Sequence, residues 1–217
     1  MIITFSIIGI FALGIFLFMQ QPVFGINPSG KRLERIVQSP NCKDGVFKNL
    51  NPTQVMVNDA SVVKMMRDFF NKPKTTEPQE TLPSIQTDLK ALSDDKPSIV
   101  WFGHSSYLIK SKGKTILVDP VFSGYSSPVS FFAKAFKGAN AYGVKDMPAI
   151  DIMVITHDHY DHLDYETILA LQYHVKKIYT SLGVGAHLEH WGIPAEKIVE
   201  FDWWQHQKIW RNGHFWW

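Results

Sequence analysis

The chain has 217 residues, 45% of them hydrophobic and 19% charged, which is enough for one domain with a real core and excludes wholesale disorder. Its 22 Lys and Arg against 20 Asp and Glu leave a net charge of +2, so no broad basic field points to nucleic acid. The single cysteine, Cys42, excludes a disulfide framework and a cysteine-cluster metal site, while three of the nine histidines fall within six residues.

No charged side chain precedes Lys31, and residues 1–19 (MIITFSIIGIFALGIFLFM) hold only Thr4 and Ser6 as polar groups. Nineteen helical residues rise about 28 Å, close to the ~30 Å hydrocarbon core, so this segment reads as a single-pass membrane anchor. The alternatives are a cleaved signal peptide on an exported protein, which lacks its usual basic start here, and a buried core helix. Lys31, Arg32 and Arg35 follow the span and favour a cytoplasmic domain. Residues 20–97 read as an N-terminal extension and linker. Within them Val55 to Phe70 carries helical apolar spacing, with Asp59 and Ser61 as candidate caps, and Asn71 to Pro83 is rich in Pro, Thr and charge.

Residues 98–217 differ in texture. Strands are expected at Ser98–Phe102, Tyr107–Ile109 and Thr115–Val118, with a tight turn at Ser111–Lys114, which makes an antiparallel meander. Ser123 to Lys145 is an interrupted loop region. Its stretch Phe131 to Lys137 suits either a bilayer surface or an amphipathic helix against the core. Ile150 to Thr156 is the most apolar strand and so central. Asp164 to Tyr173 reads as a helix, Lys177–Thr180 as a strand, Gly183 to Trp191 as a short helix and Glu196 to Phe201 as a last strand. Strands that pair first and then alternate with helices imply an α/β sheet with helices packed on it.

The central strand runs into His157-Asp158-His159-Tyr160-Asp161-His162. Imidazole and carboxylate are good ligands for Zn, Fe(II) or Mn, and a strand end preorganises them. His157 and His159 stand two apart, so extended geometry would aim them the same way, with Asp161 and His162 on the turn beyond. Four ligand-type side chains in six residues suffice for two adjacent ions; a histidine-rich surface loop is the plainer alternative.

HDHYDH resembles the HxHxDH signature of the metallo-β-lactamase fold superfamily. Trp101 to Ser106 (WFGHSS), Val118 to Phe122 (VDPVF), Ile150-Asp151 and Glu200 to Trp204 (EFDWW) resemble one branch, that of N-acyl-phosphatidylethanolamine-hydrolysing phospholipase D and its bacterial relatives. Pro22 to Gly25, Ser39-Pro40 and Phe47 to Leu50 are similar to the arm of those relatives, so the resemblance spans most of residues 20–204. It implies the N-terminal half of an αββα sandwich, an α+β architecture, behind a membrane helix and an extended arm. It further implies two divalent ions, with Zn favoured: His157 and His159 would bind the first, Asp161 and His162 the second. A hydroxide between the ions would attack, with Asp161 orienting it. The substrate class implied is a membrane-lipid phosphodiester, with a lactone or ester, or a non-catalytic metal-binding module, as alternatives. Asp119 resembles the aspartate that supports the metal-binding loop, or is a turn-forming Asp-Pro; His104 lines the substrate cleft, or is a satisfied strand-end histidine. The family's later ligands would follow Trp204, yet thirteen residues remain, none of them Asp, with five of the seven tryptophans in 203–217. The reading is therefore of a truncated chain with weak activity on its own, or of a homodimer completing its site with His214.

Overall fold

The structure, a computed structural model, describes residues 2–54, 56, 61–210 and 213–217. The N-terminal part holds helix α1 (Ile2–Met19), a single turn at Pro22–Phe24, helix α2 (Gly30–Val37), a small hairpin of β1 (Cys42–Lys43) and β2 (Val46–Phe47), and helix α3 (Val62–Phe70). Ser61 caps α3 by accepting from the Lys64 amide at 3.3 Å. Asp59, the other cap candidate, lies outside the described residues.

The membrane anchor expected at residues 1–19 is corrected. Among the described residues no helix is long and apolar enough to cross a membrane.

Six strands form the main sheet: β3 (Ser98–Gly103), β4 (Ser106–Ser111), β5 (Lys114–Val118), β6 (Ile150–Ile155), β7 (Val175–Ser181) and β8 (Ile198–Phe201). They lie side by side in chain order. β3, β4 and β5 pair antiparallel through tight turns, and β5 to β8 pair parallel. Helix α4 (Tyr165–Leu171) connects β6 to β7 and helix α5 (Gly185–His190) connects β7 to β8, while β5 reaches β6 through a long loop with a single turn at Val144–Asp146. β6 is buried on both faces, which is why its sequence is a nearly unbroken apolar run. Met153 and Ile155 enter the core shared with Ile168, Leu171 and Leu188 of the helices, while Ile152 and Val154 enter a second core with Val118, Tyr179 and Phe201. Ile209 and Trp217, from the antiparallel pair β9 (His206–Trp210) and β10 (Gly213–Trp216) and its end, pack on that second core.

Phe131 to Lys137 forms no helix. Its backbone groups are taken by a local bridge, with Ser126 donating to the Ala133 carbonyl at 3.0 Å and Ala135 to that of Gly124 at 2.8 Å. The segment leaves Phe131, Phe132 and Phe136 exposed.

Candidate metal centre

β5 and β6 run parallel, so their C-terminal ends bring Asp119 beside Thr156, 37 positions apart in sequence. Asp119 is 1% exposed and sits at φ 40, with its amide donating to the Val154 carbonyl at 2.9 Å. Its carboxylate collects three contacts: the Thr156 amide at 2.8 Å, the Thr156 hydroxyl at 2.7 Å and His162 Nδ1 at 2.8 Å. This network assigns the ring tautomers. His162 donates through Nδ1, which leaves the Nε2 lone pair free. Thr156 spends its only proton on Asp119, so its oxygen accepts from His157 Nδ1 at 3.0 Å, and His157 likewise presents a free Nε2. The loop then turns on the His159 carbonyl, which accepts from the amides of His162 and Leu163 at 2.9 and 2.7 Å. Asp164 ends the turn as the cap of α4, accepting from the Glu166 and Thr167 amides.

The turn gathers the rings. The His157 and His159 centroids are 4.6 Å apart, and those of His157 and His162 3.9 Å. His104, at φ 47 between β3 and β4, brings Nε2 to 3.0 Å from Asp161 Oδ2 and stacks edge-on to His162 at 5.2 Å. Donor atoms of His104, Asp161 and His162 all lie within 4.8 Å of one another. Burial first, then the neighbouring His162 and His159, pushes the pKa of His157 down and favours its neutral, ligating form. Burial pushes Asp161 up, but its own amide and the His162 and His104 rings outweigh this and hold its carboxyl below the usual range. His157 and His162 with Nε2 turned away from their Nδ1 partners, beside the Asp161 carboxylate, are a donor set that fits a divalent cation.

The six-residue motif is thus brought to one place with Asp119, and His104 joins Asp161 there. The sequence reading passed over Thr156, whose place between strand and motif was the available signal. It also passed over His187 of α5, whose Nε2 lies 3.6 Å from Asp158 Oδ2. Nothing local marked the N-terminal arm as part of the same region. Arg32 reaches Glu200 and Glu189, Arg35 the Glu200 carbonyl at 2.7 Å and Asn41 the Asp202 carboxylate at 3.0 Å. So strapped, the arm walls a cavity of about 580 Å³ that opens at Thr156 and His157; Leu33, Ile36 and Phe47 line it from the arm, and Val184, Phe201 and Trp203 from the sheet side.

Residues 114–215 match the family described as Beta-lactamase superfamily domain. An uncharacterized protein of Mycobacterium tuberculosis is 34% identical over 174 residues, covering 79% of this chain and 47% of that protein. N-acyl-phosphatidylethanolamine-hydrolyzing phospholipase D 1 of Caenorhabditis elegans is 28% identical over 118 residues, 52% of this chain and 33% of its own length. A metal-dependent hydrolase of Nitratidesulfovibrio vulgaris is 32% identical over 101 residues, 46% of this chain and 37% of that one. The chain spans less than half the length of each of these relatives. Over residues 114–215, with HDHYDH inside them, this chain is thus similar to the β-lactamase superfamily domain.

Proposed function

We propose that the chain is the metal-binding part of a metal-dependent hydrolase acting on a phosphodiester of a membrane lipid. The observation that carries this reading is the convergence of His157, His159, His162, Asp161 and His104, with His157 also lining a largely apolar cavity. In this reading His157 and His159 hold one ion, and Asp161 and His162, with His104 as third donor, hold a second; zinc suits the mixed nitrogen and oxygen set. Bound divalent ions would supply Lewis acidity and make water a better nucleophile at neutral pH. Asp161 stays ionised, with the carboxylate able to accept a proton from the attacking water. The arm-walled cavity takes the apolar part of the substrate and excludes water from one side of the centre. The nematode relative's name supplies the lipid phosphodiester, and the cavity lining agrees with it.

The test is metal content of the chelator-treated and reloaded protein, followed by a substrate panel of N-acyl-phosphatidylethanolamine, bis(p-nitrophenyl) phosphate, a lactone and a p-nitrophenyl ester. Zinc-dependent phosphodiester cleavage that Asp161→Ala abolishes is the expected result. Turnover confined to the lactone or ester would overturn the substrate class, and bound metal without any turnover would overturn the hydrolase reading of this chain.

A further inference from the structure

His187 stands outside the HDHYDH motif yet touches its loop. It lies on α5, with its side chain 16% exposed. The Ile26 amide, from the arm, donates to its Nδ1 at 3.1 Å, so the ring proton resides on Nε2. Nε2 faces the Asp158 carboxylate at 3.6 Å, just beyond hydrogen-bond distance. Asp158 is the residue between His157 and His159. The arm is fitted to this ring: Gly25 has φ +63, and a Cβ there would lie 1.9 Å from His187 Nδ1, so a side chain would push the arm away. One helical turn on, Trp191 Nε1 donates to the Pro22 carbonyl at 2.7 Å, which pins the arm at a second point on the same helix.

We propose that His187 is a positioning residue that ties the arm to the HDHYDH loop through Asp158, so that docking of residues 22–26 sets the affinity of the metal centre. The inference deepens the metal-centre reading above and rests on it. A histidine that merely filled space on α5 would affect folding stability and leave metal affinity alone. A histidine that steadies the backbone between two ligands changes metal affinity, because partners that orient a metal-binding loop typically contribute about 10-fold to 100-fold.

The experiment uses the full chain, stripped with chelator and titrated with Zn²⁺ against a chromophoric competitor. His187→Phe, which keeps the ring volume and loses both polar contacts, is expected to bind Zn²⁺ about 10-fold more weakly. His187→Gln, whose amide accepts from Ile26 and donates toward Asp158, is expected to recover most of that loss. Gly25→Ala, which alters no residue near an ion, is expected to weaken binding in the same direction. Nitrogen NMR of the unaltered apo protein supplies a readout without any variant: His187 is expected as the Nε2-protonated tautomer. Undiminished Zn²⁺ affinity in a folded His187→Phe or Gly25→Ala chain, or a proton on Nδ1, would overturn the positioning role. A parent chain that takes up no Zn²⁺ overturns the metal-centre reading itself, so the two failures are told apart.

Discussion

One buried carboxylate, Asp119, orients two ligands by different routes. It takes His162 Nδ1 directly and reaches His157 through the Thr156 hydroxyl. Asp119→Ala strands the Thr156 amide and hydroxyl in a site where the parent residue is 1% exposed, and it releases the tautomer of His162. The expected cost is about 3 kcal/mol in chemical denaturation, with Zn²⁺ affinity at least about 10-fold lower in chelator competition. Asp119→Asn is the sharper variant, since its amide oxygen still accepts while its charge and second acceptor are gone. It is expected to recover part of the stability and less of the affinity. Stability and affinity falling in fixed proportion across both variants would refute a separate role in aiming the rings. The motif itself was readable because four ligand-type side chains crowd six positions. Thr156 was not, because a threonine ending a strand looks ordinary until a residue 37 positions away arrives beside it.

At the level of elements, the meander was readable from alternation and from its turn, where Gly113 sits at φ +71. β6 was readable from unbroken apolarity. Periodicity misled where backbone donors found other partners, as at Phe131 to Lys137, and it missed the pairing of β9 with β10 in a tail that reads simply as tryptophan-rich. Strand pairing also places a charge clamp across three neighbours. Asp151 of β6 accepts from the Thr115 amide of β5 at 3.0 Å and from Lys176 of β7 at 2.7 Å, with Lys114 at 3.8 Å. Burial pushes this carboxyl up, but the Lys176 and Thr115 hydrogen bonds and the two lysine charges outweigh it, so its pKa falls below 3.8. A carboxyl depressed in the folded state stabilises the fold above its unfolded pKa, and the benefit disappears as pH drops through the folded value. Asp151→Asn is therefore expected to lower stability at pH 7 by about 0.5 kcal/mol, since both lysines are exposed and screened. Thermal melts should show the gap between parent and variant closing below the ordinary carboxylate range. A gap that widens in acid would contradict this assignment.

Across the whole molecule, the decisive contacts join residues at opposite ends of the chain, and no local pattern announces them. Arg32 and Glu200 are 168 positions apart, yet Nε lies 3.0 Å from both carboxylate oxygens, and Nη1 reaches Glu189 at 2.9 Å. Glu200 is 7% exposed at its side chain and also accepts from the Gly183 and Gly185 amides at 2.9 Å. Its partners push the Arg32 guanidinium well above its ordinary pKa, so it is charged at any working pH. Removing the guanidinium leaves a nearly buried carboxylate with two amides and, as counter-charge, only the more distant Arg35 guanidinium at 4.0 Å, a state that costs more than the pair contributes net. Arg32→Ala is accordingly expected to lose about 2 kcal/mol, and Arg32→Lys to recover little, because one ammonium does not span Glu200 and Glu189 as Nε and Nη1 do. Arg32→Ala with Glu200→Gln is expected to be more stable than Arg32→Ala alone: the poorly compensated charge is gone, and the glutamine oxygen still receives the glycine amides. The same substitution loosens the wall carrying Leu33 and Ile36, so a fluorescent fatty-acid probe of the cavity should bind Arg32→Ala more weakly while Zn²⁺ still binds. If the double variant regains stability yet probe binding stays lost, Arg32 stabilises the fold through charge balance and shapes the cavity through the arm. If Arg32→Ala binds the probe as tightly as the parent chain, the arm does not form that wall in solution.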